Sequence, residues 1–198
     1  MFTLYGRATS GNVQKVLFLL EELGAEYERL DYGRTFGNTA TPEYLAMNPT
    51  QKVPTLADGD LIIWESNTIL RYLATKSSSS LYPTNPALRT QVERWMDWCL
   101  AALNPVYLGG FKDAKKSANE LSPGTVANLE AELSVLDKHL SANTFCAGED
   151  FSLADIALGP IARRCVKFPF EMRAMPNITR WVSALEARKA FMTALQAG

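Results

Sequence analysis

The stretch VPTLADGDLIIWESNTILRYL, residues 53–73, decides how this chain reads. Val53–Ala57 and Leu61–Trp64 flank Asp58-Gly59-Asp60, a turn signal between two β-prone runs, which predicts a short hairpin. Ser66–Lys76 then follows a helical pattern through Ile69, Leu70, Tyr72 and Leu73. The hairpin therefore delivers Glu65 and Ser66 to the first turn of a helix. Helix N-termini carry free N–H groups and a partial positive charge, so they hold carboxylates well. Glu65 supplies the opposite charge and pairs with an ammonium group. A ligand bearing both an α-amino and an α-carboxylate group satisfies both halves, so Glu65-Ser66 reads as an amino-acid clamp.

Working outward, residues 2–5 read as a strand, and Val13, Val16, Leu17, Leu20 and Leu23 have helical spacing with Gly24 as the stop. Tyr27–Tyr32 reads as a second strand and 33–41 as a loop. Thr41-Pro42 looks like a helix start, the threonine capping and the proline in the first turn. The order up to residue 76 is thus βαβαββα. SSSSLYPTNP, residues 77–86, has the composition of a linker. Beyond it strand signals stop, and 87–110, 126–140, 153–167 and 178–195 all read as helices. The expected organisation is an α/β domain over 1–76, a linker over 77–86 and an all-helical domain over 87–198.

With 198 residues, 47% of them hydrophobic, the chain can bury a real core. A formal net charge of −1 and the lack of a clustered basic face argue against nucleic acid or an anionic membrane as partner. No apolar run approaches the ~18 residues of a membrane span, and Met1–Tyr5 lacks the sections of a signal peptide, so the expected location is cytoplasmic. Cys99, Cys146 and Cys165 are far apart, and the only histidine is His139, which leaves no zinc-ligand spacing. The cysteines read as buried small hydrophobes, and His139, near the end of a helical segment, as a surface or C-terminal helix residue. No metal is expected.

Two further segments carry chemistry. Thr9 and Ser10, in GRATSGNVQKV, stand where strand one meets helix one. Either serves as an N-cap, and a hydroxyl there also donates to an anion; the helix field favours a thiolate at the same place. In Asn48-Pro49-Thr50-Gln51-Lys52-Val53-Pro54-Thr55, a proline that opens a strand at a tight turn is often cis. Such a turn offers the Val53 backbone to an extended peptide, as an added strand would. Lys52 reads either as a partner for a carboxylate at the peptide's far end or as a solvated loop lysine.

Taken together, the Ser10 junction, the Val53-Pro54 turn and Glu65-Ser66 twelve residues after Val53 resemble the glutathione transferase family. The similarity runs over essentially the whole chain and looks most like bacterial members near the beta, theta and tau classes. Phe151-Ser152-Leu153-Ala154-Asp155-Ile156-Ala157 resembles the family's capping box and hydrophobic staple, with Ser152 capping, Asp155 reaching back and Phe151 stapling the entry. That motif supports the fold and not the activity.

The resemblance implies a thioredoxin-like first half, glutathione as co-substrate and a hydrophobic electrophile as the second substrate. It implies that Glu65 and Ser66 bind the γ-glutamyl end and that Val53 pairs with the cysteinyl backbone. Pro54 becomes the cis proline, and Lys52, with Gln51 second to it, meets the glycyl carboxylate. Ser10 takes the place of the thiol-activating serine, with Thr9 and Asn12 as candidates to assist; Tyr5 reads as strand packing. In the family the electrophile pocket lies between the two domains; Tyr107, Phe111 and Phe168 are its candidate lining here, with Arg163 or Arg164 nearby. Trp95 and Trp98 read as packing. Members are usually homodimers and serve in detoxification; reduction of hydroperoxides is an added activity of such a site. The alternatives are a non-catalytic binding or regulatory module on the same fold, and a glutathione-dependent isomerase or dehalogenase.

Overall fold

The protein is described here by a computed structural model covering residues 1–117 and 120–196. Met1–Tyr82, joined by the chain from Arg188 onward, forms one compact unit, and Pro83–Ala187 forms another. In the first unit the order is β1 (Phe2–Tyr5), α1 (Gly11–Glu22), β2 (Tyr27–Leu30), a 3-10 turn (Arg34–Phe36), α2 (Pro42–Met47), β3 (Thr55–Asp58), β4 (Leu61–Trp64) and α3 (Ser66–Lys76). The strands lie in the order β2-β1-β3-β4. The β1–β2 pair is parallel, while β1–β3 and β3–β4 are antiparallel.

Register explains what this sheet is for. Leu4 lies opposite Leu56, which lies opposite Ile63, and all three are buried in the core. One residue along, Tyr5 lies opposite Thr55, which lies opposite Trp64. The chain leaving β1, the chain entering β3 and the chain leaving β4 therefore meet at the same end of the sheet. Those three segments hold Ser10, Val53-Pro54 and Glu65-Ser66. Gly6 lets β1 turn tightly into α1: a Cβ there would come 2.5 Å from Val13 Cγ2. Tyr5 itself packs edge-on against Tyr32, with ring centroids 5.2 Å apart.

The helices beyond the sheet differ from the sequence reading in two places. The helix expected over 87–110 is instead α4 (Pro86–Trp98), a π turn (Cys99–Leu103) and α5 (Asn104–Asp113). Pro105 has no N–H for the carbonyl of Ala101, and Asn104 N–H reaches back to Cys99 O, which inserts the wider turn. The helix expected over 178–195 is two: α8 (Pro176–Glu186) and α9 (Lys189–Gln196). The all-helical domain therefore does not run to the end of the chain, because α9 packs on α1 of the first unit. Its buried Phe191 meets Phe18 at 4.9 Å between ring centroids, and Arg188 Nε and Nη2 donate to the Glu22 carboxylate at 2.6 and 2.7 Å. The linker reading of 77–86 also shifts, since the boundary falls between Tyr82 and Pro83, with Asn85 capping α4.

The second unit is completed by α6 (Thr125–Leu140) and α7 (Leu153–Val166). Every residue of α7 from Leu153 to Ala162 is buried, as expected of a helix packed by α4, α5 and α8. Its start is the capping box anticipated at Ser152 and Asp155. The Asp155 carboxylate also accepts from Cys146 N–H at 2.9 Å and from the Trp181 indole N–H at 2.8 Å. Burial pushes the Asp155 carboxyl up, against the pull of those donors. Phe151 stands edge-on to Phe145 at 5.7 Å.

The three cysteines are free and buried. His139 lies in the last turn of α6, the C-terminal helix position of the two expected for it, and is half-buried: its Nε2 bonds the Cys146 carbonyl at 2.9 Å and its ring packs on Trp95. Trp95 packs edge-on against Trp98. Among the described residues no helix is long and apolar enough to cross a membrane.

Candidate functional site

Ser10 is the N-cap residue of α1, and its carbonyl accepts the first helical bond from Gln14 N–H at 2.9 Å. Its side chain makes no capping bond, although the residue is only 7% exposed. A cap hydroxyl that leaves its helix unserved is available to something else at that terminus. Thr9 beside it is exposed, and Asn12 lies in the first turn of α1. Ser66 Oγ approaches Asn12 Oδ1 at 3.5 Å, so the starts of α1 and α3 adjoin.

Glu65 is the N-cap residue of α3 and has φ +70°, ψ 117°, outside the regions that residues with a Cβ ordinarily occupy. Such a conformation costs about 1–3 kcal/mol and persists only where surrounding structure enforces it. The side chain recovers nothing locally. It makes no capping bond, it is exposed, and among the described residues its carboxylate has no hydrogen-bond or ion-pair partner. Ser66, 6% exposed, starts the helix beside it.

The Val53–Pro54 peptide is cis, and Gln51 holds φ +58°. Gln51 and Lys52 are exposed, Val53 is half-buried and Pro54 is buried. Among the described residues neither the N–H nor the C=O of Val53 has a hydrogen-bond partner, which leaves a short free strand edge ahead of β3. Beneath it lies a network that the sequence reading missed. Tyr44 Oη donates to Lys52 O at 2.6 Å, Asn48 Nδ2 donates to Lys52 O and to Thr55 Oγ1, both at 2.9 Å, and Tyr44 Oη also meets Thr55 Oγ1 at 2.9 Å. Asn48 Oδ1 accepts from Thr50 N–H at 3.0 Å, an Asx-type turn whose Asn-Pro-Thr signal was visible in the sequence. Burial pushes the Tyr44 phenol up, so it stays a neutral donor. Tyr44, Asn48 and Thr55 thus pin the Gln51–Pro54 backbone from inside.

Two family models cover most of the chain: the N-terminal domain of glutathione S-transferase matches residues 1–75, and the C-terminal domain matches residues 100–189. Glutathione S-transferase GstB of Escherichia coli is 36% identical, across 96% of this chain and 95% of that one. The chain belongs to the glutathione S-transferase family. A second relative is glutathione S-transferase 3 of Zea mays, 32% identical over 98% of this chain and 93% of the relative. Among solved structures, the theta class glutathione S-transferase of Xanthomonas axonopodis pv. citri with glutathione bound superposes with a TM-score of 0.91 and 34% identity, covering 100% of this chain and 98% of that one.

In the second unit of this glutathione S-transferase fold, the structure brings the three candidate pocket residues into one aromatic cluster. Tyr107 and Phe111 are one turn apart on α5, with ring centroids 6.0 Å apart, and Phe168 stacks on Tyr107 at 6.1 Å and 12° between planes. Phe170 extends the cluster at 5.4 Å from Phe168. Gly110 makes room for it, since a Cβ there would come 2.8 Å from Phe168. The two arginines separate: Arg163 joins Lys167 on Glu186, each at 2.6 Å, while Arg164 Nη1 donates to Tyr107 Oη at 3.1 Å.

Proposed function

We propose that this chain is a glutathione transferase that holds glutathione along the open end of its sheet and uses Ser10 to keep the thiol ionised. The observation that carries this reading is Glu65, an exposed, partnerless carboxylate in a strained backbone at a helix start. Strain of that kind points to function, and an α-ammonium group is the partner that the geometry lacks. The adjoining α3 terminus and Ser66 receive the α-carboxylate of the same γ-glutamyl group. The free N–H and C=O of Val53 pair with the cysteinyl backbone, and Lys52, with Gln51, meets the glycyl carboxylate. Thr9 and Asn12 border the serine and assist in setting the sulfur's position.

That placement brings the sulfur to the start of α1. There the Ser10 hydroxyl donates to it, and the helix field adds to the effect, lowering a thiol pKa from about 8.5 toward neutrality. The proton leaves to solvent, and the sulfur bonds to the electrophilic carbon as that carbon's bond to its leaving group breaks. The leaving group departs with the bonding electron pair. Binding both partners converts an encounter in solution into a positioned step. Tyr107, Phe111 and Phe168 receive the apolar electrophile.

We infer a homodimer from β4, an edge strand whose Leu61 and Trp64 are 48% and 39% exposed, a surface that a second copy covers. We infer a cytoplasmic location from the three free, buried thiols.

Calorimetric titration of the purified protein with glutathione tests the reading. Binding by the wild type that weakens at least about tenfold in Glu65→Ala is the expected result, the loss of one charge-assisted contact. A wild type that does not bind overturns it and turns attention to a non-catalytic module.

A further inference from the structure

The hydrogen bonds beneath the open end of the sheet have one consistent direction. Lys52 O is a carbonyl and only accepts, so the single Tyr44 hydroxyl hydrogen goes to it, at 2.6 Å. The 2.9 Å bond between Tyr44 Oη and Thr55 Oγ1 is then donated by the threonine. The hydrogens of Asn48 Nδ2 go to Lys52 O and to Thr55 Oγ1. Every side-chain donor of these three residues has an acceptor, and both lone pairs of Lys52 O are taken. Tyr44, Asn48 and Thr55 are all buried, and the Tyr44 ring is itself held, stacked on Tyr32 at 5.1 Å with 23° between planes.

The other edge of the same peptide faces the ligand side. The Lys52–Val53 bond is trans, unlike the one after it. In a planar trans peptide the C=O and the N–H that follows it point in opposite directions. A Lys52 carbonyl locked onto Tyr44 and Asn48 therefore turns the Val53 N–H away from the buried network, and among the described residues that N–H has no acceptor. We propose that Tyr44 is a positioning residue for glutathione: by gripping Lys52 O it aims the Val53 N–H at the cysteinyl carbonyl of the bound tripeptide. The inference rests on the transferase reading above and deepens it. Without the phenolic hydroxyl, Lys52 O keeps one of its two donors, Thr55 loses the acceptor of its hydroxyl, and the peptide plane is free to rock. Binding then has to order a contact that the protein now holds ready, which lowers affinity. The Val53 carbonyl belongs to the next peptide plane and Glu65 to another element, so the effect is confined to the one contact.

The test is calorimetry with three ligands, the two weaker ones in competition with glutathione. Glutathione is compared with γ-glutamylcysteine ethylamide, which keeps the cysteinyl carbonyl without the glycyl carboxylate, and with γ-glutamylcysteamine, which lacks both. Tyr44→Phe keeps the stacked ring and removes the donor. It is expected to weaken glutathione and the ethylamide about 3- to 10-fold, the range for one neutral hydrogen bond, and to leave γ-glutamylcysteamine within about twofold. Thr55→Val removes the hydroxyl that fixes the direction of the Tyr44 bond, and is expected to show the same pattern with a smaller loss. Should Tyr44→Phe fail to unfold cooperatively, Thr55→Val decides on the same comparison. Unchanged affinity for glutathione overturns the proposal. So does an equal loss for all three ligands, the result of a general loosening of the site. A wild type that binds no glutathione overturns the transferase reading itself.

Discussion

Two helices of this protein begin in opposite ways. At the start of α7, Ser152 Oγ accepts from Ala154 N–H, and the Asp155 carboxylate accepts from Ser152 N–H, Cys146 N–H and the Trp181 indole, all within the buried helical unit. At the start of α3, Glu65 holds a positive φ, caps nothing and faces solvent. The first terminus is complete without a ligand, and its groups stabilise the fold. The second is kept strained and unsatisfied; the Ser10 terminus of α1 has ordinary extended backbone, but its hydroxyl likewise makes no capping bond. The lesson is that a cap-type residue marks a helix start in either case. Only the destination of its hydrogen bonds separates a structural terminus from one that awaits a ligand.

The sharpest way to break this contrast is to empty the satisfied terminus. Asp155→Ala strands three buried N–H donors and is expected to cost about 3 kcal/mol or more in urea unfolding, with glutathione affinity of the folded protein preserved. Loss of affinity without loss of stability would reverse the roles assigned to the two termini. Next comes the support beneath the open end of the sheet. Asn48→Ala removes a buried amide that holds Lys52 O and Thr55 Oγ1, and is expected to cost about 2 kcal/mol. It should also weaken glutathione binding, which calorimetry on the folded protein would detect.

A matched pair of serines then compares the termini directly. Ser152→Ala is expected to lose about 1 kcal/mol of stability, while Ser10→Ala, with no capping bond to lose, should leave the unfolding midpoint in place. Its effect is expected instead in turnover, with glutathione affinity less changed. Equal stability losses in the two variants would show that Ser10 is an ordinary cap.

The smallest effect is a pH dependence at the start of α6. Asp113 accepts from Lys116, Thr125 and the backbone and hydroxyl of Ser122, which hold its carboxyl well below the ordinary carboxylate range. A depressed folded pKa means that this contribution is present above the unfolded value of about 3.9 and is lost as pH falls toward the folded one. Unfolding midpoints should therefore drop on acidification below about pH 4, and less steeply in Asp113→Asn.

Much of this organisation was legible before the structure, for reasons tied to particular residues. Asp58-Gly59-Asp60 between two apolar runs, Gly24 past the first helix and Thr41-Pro42 before the second are local signals, and each marks an element boundary where expected. The capping box needed only Ser152 and Asp155 at the right spacing. The rest depends on partners distant in sequence. The periodicity of 178–195 shows an apolar face but not that Phe191 finds Phe18, so the return of α9 to the first unit was not visible. A proline inside a helical pattern signals disruption, yet whether the chain breaks or widens into a π turn depends on packing. The bonds from Tyr44 and Asn48 to Lys52 and Thr55, and from Arg164 to Tyr107, join separate elements and leave no pattern in a single segment.

Glu65→Gly is the most direct test of the central claim, because glycine accepts a positive φ without penalty and removes the carboxylate at the same time. Urea unfolding and glutathione calorimetry are run on the same preparation. The account predicts a variant more stable by about 0.5–1 kcal/mol, after the entropy that glycine adds to the unfolded chain, and at least about tenfold weaker for glutathione. A variant that is less stable and binds glutathione as well as the wild type would contradict it, showing that Glu65 serves the fold and not the ligand.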